Sequence, residues 1–207
     1  MMMGARTAAW ANALPYDYEL EYATSDGRQW FNTGLYTPRN VDYGKFFSAE
    51  FDIIFRSSSG RHLTFSNSFG FFGHNGSLIE LPFPIGTYFG STNVGTKINV
   101  FLKTDQTTNG SEISCSVDGS SRSGVISSNW PSYHHAVVVG TIGTAENPEP
   151  SFAISASFGR TNLVGYNGDE RRFIPCVKDG RVGFYDEVTK AMFYSETGTD
   201  FLEGPRA

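Results

Sequence analysis

Few side chains in this chain carry chemistry, and their spacing limits what they can do. Glu50 and Asp52 lie one residue apart in Ala49-Glu50-Phe51-Asp52-Ile53-Ile54-Phe55, so an extended backbone sets both carboxylates on one face. A carboxylate pair is the equipment of glycoside hydrolysis, where retaining chemistry wants the two groups about 5–5.5 Å apart. The plainer reading is two solvated carboxylates on the outer face of a strand. The four histidines, His62, His74, His134 and His135, show no metal-ligand spacing, and adjacent His134 and His135 point to opposite faces when extended. Cys115 and Cys176 read as two buried free thiols, with one disulfide as the alternative in an oxidising compartment. Neither lies beside a helix start or a nearby histidine that would make it a nucleophile. No G-x-S-x-G elbow is present. Gly-rich Phe69-Gly70-Phe71-Phe72-Gly73 lacks the Lys-Ser/Thr that a phosphate cradle needs.

What remains is binding. Ser128-Asn129-Trp130-Pro131-Ser132-Tyr133-His134-His135 combines two aromatic platforms with amide, hydroxyl and imidazole groups, a mixture suited to a small polar ligand. Asn129, Trp130, Tyr133 and His134 are therefore the candidate ligand-binding residues. The competing reading makes Trp130 and Tyr133 a cap on the end of the core. No catalytic residue and no metal ligand is assigned.

The elements that must hold these residues are strands. Eighteen Phe and ten Tyr against four Met favour extended structure, and 23 Gly provide for many tight turns. Apolar residues alternate in Lys97 to Lys103 (Ile98, Val100 and Leu102 inward), Glu112 to Asp118 (Ile113, Cys115, Val117) and Phe152 to Phe158 (Phe152, Ile154, Ala156, Phe158). Ala136 to Ile142 is apolar on both faces, as a central strand would be. Six dipeptides that favour positive φ, Asp26-Gly27, Asn75-Gly76, Asn109-Gly110, Asp118-Gly119, Asn167-Gly168 and Asp179-Gly180, predict hairpins joining a meander. Asp186 to Met192 reads as a turn between short strands, and Thr144 to Ser151 as a surface loop. The fold class is all-β, a two-sheet antiparallel β-sandwich.

At 207 residues one such domain is the natural size. Residues 14–207 form it, and 1–13 read as the remnant of a leader or of a cloning tag, because Ala11-Asn12-Ala13 resembles a cleavage site with no apolar h-region before it. A net charge of −5 with scattered basic residues argues against a nucleic-acid partner. No window approaches the about 18 apolar residues of a membrane span, so no membrane insertion is expected.

Both ends of the chain carry a resemblance. Leu14-Pro15-Tyr16-Asp17-Tyr18-Glu19-Leu20-Glu21-Tyr22 and Gly27-Arg28-Gln29-Trp30-Phe31-Asn32-Thr33-Gly34 form the opening block. Phe173-Ile174-Pro175-Cys176, Gly183-Phe184-Tyr185-Asp186, Phe193-Tyr194 and Gly204-Pro205 form the closing one. Together they resemble the laminin-G-like, concanavalin A-like jelly-roll domains of gut-bacterial surface or secreted proteins and phage tail proteins. Asn32 departs from the Asp usual there. The resemblance implies a sandwich whose N- and C-terminal strands pair, in a secreted, cell-surface or phage-virion setting. The wider fold also hosts glucanases with Glu-x-Asp-x-Glu on one strand face; here the third position falls on Ile54, or on Phe55 with a bulge. Some relatives of the fold hold calcium, but no cofactor is expected, since no Asp-x-Asp-x-Asp-Gly loop is present and Asp105 to Asn109 is a weak substitute. The expected function is a non-catalytic recognition module for carbohydrate or a surface glycoconjugate. The alternative is a structural or assembly subunit with protein partners, and a glycoside hydrolase comes third.

Overall fold

A computed structural model describes residues 14–57, 59–64, 71–75, 78–80, 89–91, 94–126, 134, 136–140, 142–143, 148–149 and 155–207. Among them there is no helix, and strands form two large antiparallel sheets. The first sheet holds β1 (Tyr18–Glu19), β2 (Ala23–Asp26), β4 (Phe46–Phe55), β9 (Lys97–Thr107), β10 (Gly110–Val117), β11 (Ser120–Ile126), β15 (Ser155–Val164), β16 (Glu170–Lys178), β17 (Arg181–Asp186), β18 (Ala191–Phe193) and β19 (Leu202–Glu203). Its main path runs β11-β10-β9-β4-β15-β16-β17-β18. The second sheet runs β3 (Phe31–Tyr36), β12 (Ala136–Val139), β5 (Ser59–Thr64), β6 (Phe71–Asn75), β7 (Leu78–Glu80) and β8 (Phe89–Ser91). A small pair, β13 (Ile142–Gly143) with β14 (Pro148–Glu149), stands apart.

In β4, β9 and β10 the alternation read from sequence is the alternation of burial, whereas in β15 Ser157 is buried along with Ala156 and Phe158, and Phe152 and Ile154 lie outside the described residues. Phe51, Ile53 and Phe55 of β4, Ile98, Val100 and Leu102 of β9, and Ile113, Cys115 and Val117 of β10 all enter one core, with Ala156 and Phe158 of β15. From the second sheet come Phe31, Leu35, Val137 and Val139. Each fully buried Phe or Leu contributes about 1.5–3 kcal/mol relative to exposure, so the register is fixed by the core. A slip of one residue would turn the whole set outward.

The terminal segments close the structure. β1 pairs with β16, β19 pairs with β2, and an isolated bridge joins Leu20 to Arg206. Phe31 sits among Phe173, Phe184, Phe193 and Phe201, with ring centroids 5.1–6.3 Å away, at distances where edge-to-face aromatic pairs are favourable. Trp30 and Phe31 are both buried. Asn32 lies within β3, its Oδ1 accepting from the Gly34 N–H at 3.0 Å, while its own N–H donates to Glu196 at 2.8 Å.

The turns depart from a simple meander. Asp118-Gly119 and Asp179-Gly180 are two-residue hairpin turns with positive φ at both positions (46° and 81°; 51° and 74°), the backbone that type I′ turns require. The β9–β10 loop falls one residue earlier than the dipeptide suggests, on Thr108 and Asn109, because Gly110 already pairs with Thr107. Asn75 pairs with Leu78, and residues 76–77, where the Asn75-Gly76 hairpin turn was expected, lie outside the described residues. Asn167-Gly168 sits within a longer loop closed by Val164 and Glu170. Asp26-Gly27 joins no hairpin; it carries the chain from β2 in one sheet to β3 in the other, with Gln29 Oε1 accepting from the Asp26 N–H at 2.9 Å. The central strand predicted over Ala136 to Ile142 stops at Val139. Gly140 follows with φ +101°, and an added Cβ there would stand 2.5 Å from the Gln29 carbonyl oxygen. The loop predicted over Thr144 to Ser151 contains β14, paired back onto β13.

Candidate functional site

Of the four candidate residues, Asn129, Trp130 and Tyr133 lie outside the described residues, and His134 is described. The His134 ring stacks on Tyr166 with centroids 4.0 Å apart and planes at 27°. Its Nδ1 lies 2.8 Å from the Thr37 carbonyl oxygen. A carbonyl only accepts, so Nδ1 carries the proton and Nε2 faces the Asp42 carboxylate at 3.6 Å.

Asp42 is held by its own turn. Its Oδ2 accepts from the Arg39 N–H at 2.8 Å, and the Arg39 guanidinium donates to Oδ1 at 3.1 Å. Burial opposes ionisation of this carboxyl, but the Arg39 side chain and backbone N–H outweigh it and hold the pKa below the ordinary aspartate range. Tyr166 is tied in by its backbone N–H, which donates to the Tyr36 carbonyl at 3.0 Å. Tyr36 and Tyr43 are 44% and 58% exposed. The stacked His134 and Tyr166 rings thus lie beside an oriented Arg-Asp pair, with Tyr36 and Tyr43 exposed in the adjoining stretch of chain. Tyr36, Arg39, Asp42 and Tyr166 escaped the sequence reading because nothing short-range joins residues 36–42 to 134 and 166. The Arg39-to-Asp42 spacing was the one local sign of a braced turn.

The carboxylate pair on β4 is placed as its alternation required. Glu50 is exposed, and Asp52 is half-buried on the same outer face. Asp52 is engaged: Lys97 Nζ lies 2.8 Å from its Oδ2, and Asn99 Nδ2 donates to Oδ1 at 3.1 Å. Ile54 fills the next outward position. A bulge does occur nearby, but on the neighbouring strand β15, between Phe158 and Thr161, so Ile54 keeps its place.

Both thiols are free and buried. Burial pushes Cys115 up to about 12 and Cys176 up to about 11, far from a nucleophile's range. Cys115 belongs to the main core. Cys176 packs with Tyr16, Tyr185 and Met192 in a second, smaller cluster. Asp105 lies inside β9, paired with Lys103 at 2.7 Å, and no group of three metal-ligating side chains occurs among the described residues. His62 and His74 fall in β5 and β6, where the side chains are outside the described set. Among the described residues no helix is long and apolar enough to cross a membrane. In comparison with known proteins, the chain matches no family model and no curated sequence.

Proposed function

We propose that this protein is a non-catalytic recognition module that binds carbohydrate or a surface glycoconjugate, on a concanavalin A-like jelly roll. The observation that carries the reading is the docking of His134 on Tyr166 beside the Arg39–Asp42 pair. It ties His134 of the aromatic loop to a tyrosine ring and fixed hydrogen-bonding charges, an aromatic surface with a few preset polar groups. The absence of catalysis is supported by Ile54 at the third outward position of β4 and by the Lys97 and Asn99 contacts of Asp52. Reproducible binding on a glycan array, abolished by Trp130→Ala in a variant that keeps its melting temperature, is the expected result.

The second reading, a structural subunit of a phage tail or bacterial surface assembly, is favoured by the edge strand β11. It pairs with β10 over seven residues, and in the described sheet nothing covers its other side. Such an edge is a template for another chain. No binding across a broad array, with a stable oligomer by light scattering, would select this reading instead.

A further inference from the structure

At the end of β15 opposite Tyr166, we propose a second binding site: a notch that takes a single neutral pyranose ring. This inference rests on the carbohydrate reading but uses none of the residues around His134. The notch encloses about 240 Å³, below the about 300–1,000 Å³ of pockets for larger ligands, so it holds one small ring and not a chain.

Its existence follows from the bulge in β15. Between Phe158 and Thr161 the register with β4 shifts, so Gly159 and Arg160 together oppose Asp52. Arg160 turns away to Glu19 at 2.6 Å. Gly159 contributes no side chain, and a Cβ there would stand 2.9 Å from the Asp52 Cβ. The space so left open has Asp52 and Ile54 on one side, Glu21 and Tyr22 on the other, and Lys97 beside Asp52.

The polar groups are preset. Asp52 is oriented by Lys97 and Asn99. Ser157 Oγ accepts from Arg56 Nε at 2.8 Å and lies 2.7 Å from Thr24 Oγ1. A carboxylate acceptor next to an ammonium donor matches the two hydroxyls of a vicinal diol, each of which donates and accepts. The Glu21 carboxylate also lines the notch. Lys97 and the Arg56 guanidinium, which is turned to Ser157 and Tyr22, balance the two carboxylates, so the notch carries no net positive charge to hold an acidic sugar. Tyr22 offers no stacking face: Arg56 lies over its ring at 5.2 Å, and its ring carbons pack against the position of Gly204. Recognition here is by hydrogen bonds.

The test is titration calorimetry of the whole protein with methyl glycosides of neutral hexoses, N-acetylhexosamines and uronic acids. Lys97 and Glu21 are exposed, so Lys97→Met and Glu21→Gln should fold. At least one neutral glycoside should bind the wild type, about ten- to a hundredfold more weakly after Lys97→Met. A disaccharide bearing that ring at its non-reducing end separates a chain terminus from a free sugar as the source. Absence of any monosaccharide binding, a preference for uronic acids, or indifference to both Lys97→Met and Glu21→Gln would overturn the proposal. If array binding that depends on Tyr166 persists in any of these cases, only the notch is refuted; if array binding is also absent, the carbohydrate reading falls with it.

Discussion

Asp186 is fully buried, yet it is ionised by design of its surroundings. It accepts from the backbone N–H groups of Arg172, Val188 and Thr189 at 2.9, 3.1 and 3.2 Å and from the Thr189 hydroxyl at 2.6 Å, with Arg171 Nε at 3.5 Å. Burial pushes its pKa up, but these donors prevail and the net shift is downward. A carboxyl whose folded pKa is depressed contributes stability that is complete above its unfolded value of about 3.9 and is lost as pH falls through the folded value. Asp186→Asn should therefore cost about 3 kcal/mol at neutral pH, and the gap to the wild type should narrow below pH about 4, measured by urea unfolding at several pH values. The thiols give a second test at this scale. With both pKa values raised by burial, neither should react with an aromatic disulfide reagent at pH about 8 until denaturant exposes them. The sequence placed Asp186 at a turn and the cysteines in the interior. The carboxylate's role was hidden because Arg171 and Arg172 reach it only after β16 and β17 pair.

Strands were easier to read than the turns that connect them. Period-two alternation comes from the side chains themselves, so Phe51, Ile53, Phe55, Ile98, Val100 and Leu102 declared their face. A Gly dipeptide declares only a permissive backbone. Asp179-Gly180 became a tight hairpin because the strands on either side pair, whereas Asp26-Gly27 became a crossing between sheets because β2 and β3 find different partners. The two settings predict different costs. Gly180→Ala meets open space and suffers only the positive φ of 74°, about 1 kcal/mol. Gly140→Ala meets the Gln29 carbonyl and the Trp30 backbone as well, and should cost about 3 kcal/mol. Thermal unfolding of the two variants side by side checks the ranking.

The whole molecule is closed by its ends. The pairing of N- and C-terminal strands that the resemblance implied is present in β1–β16, β2–β19 and the Leu20–Arg206 bridge, and Phe201 brings the last strand onto Phe31 and Phe184 at 6.3 and 5.3 Å. Removing residues 200–207 should lower the melting temperature more than any exposed loop substitution, because it uncovers that aromatic cluster. The candidate site was half legible. The loop composition pointed to residues 128–135, but its surroundings, Tyr36, Arg39, Asp42 and Tyr166, come from two distant segments that meet only in the folded sandwich. Glycan binding at this end of the molecule is the proposal on which the rest depends. A paired glycan array of the wild type and Tyr166→Ala, both shown folded by melting temperature, tests it most directly. The expected result is a reproducible glycan signal that falls about tenfold or more with the tyrosine removed; no signal for the wild type, or an equal signal for both proteins, would refute glycan binding at this site.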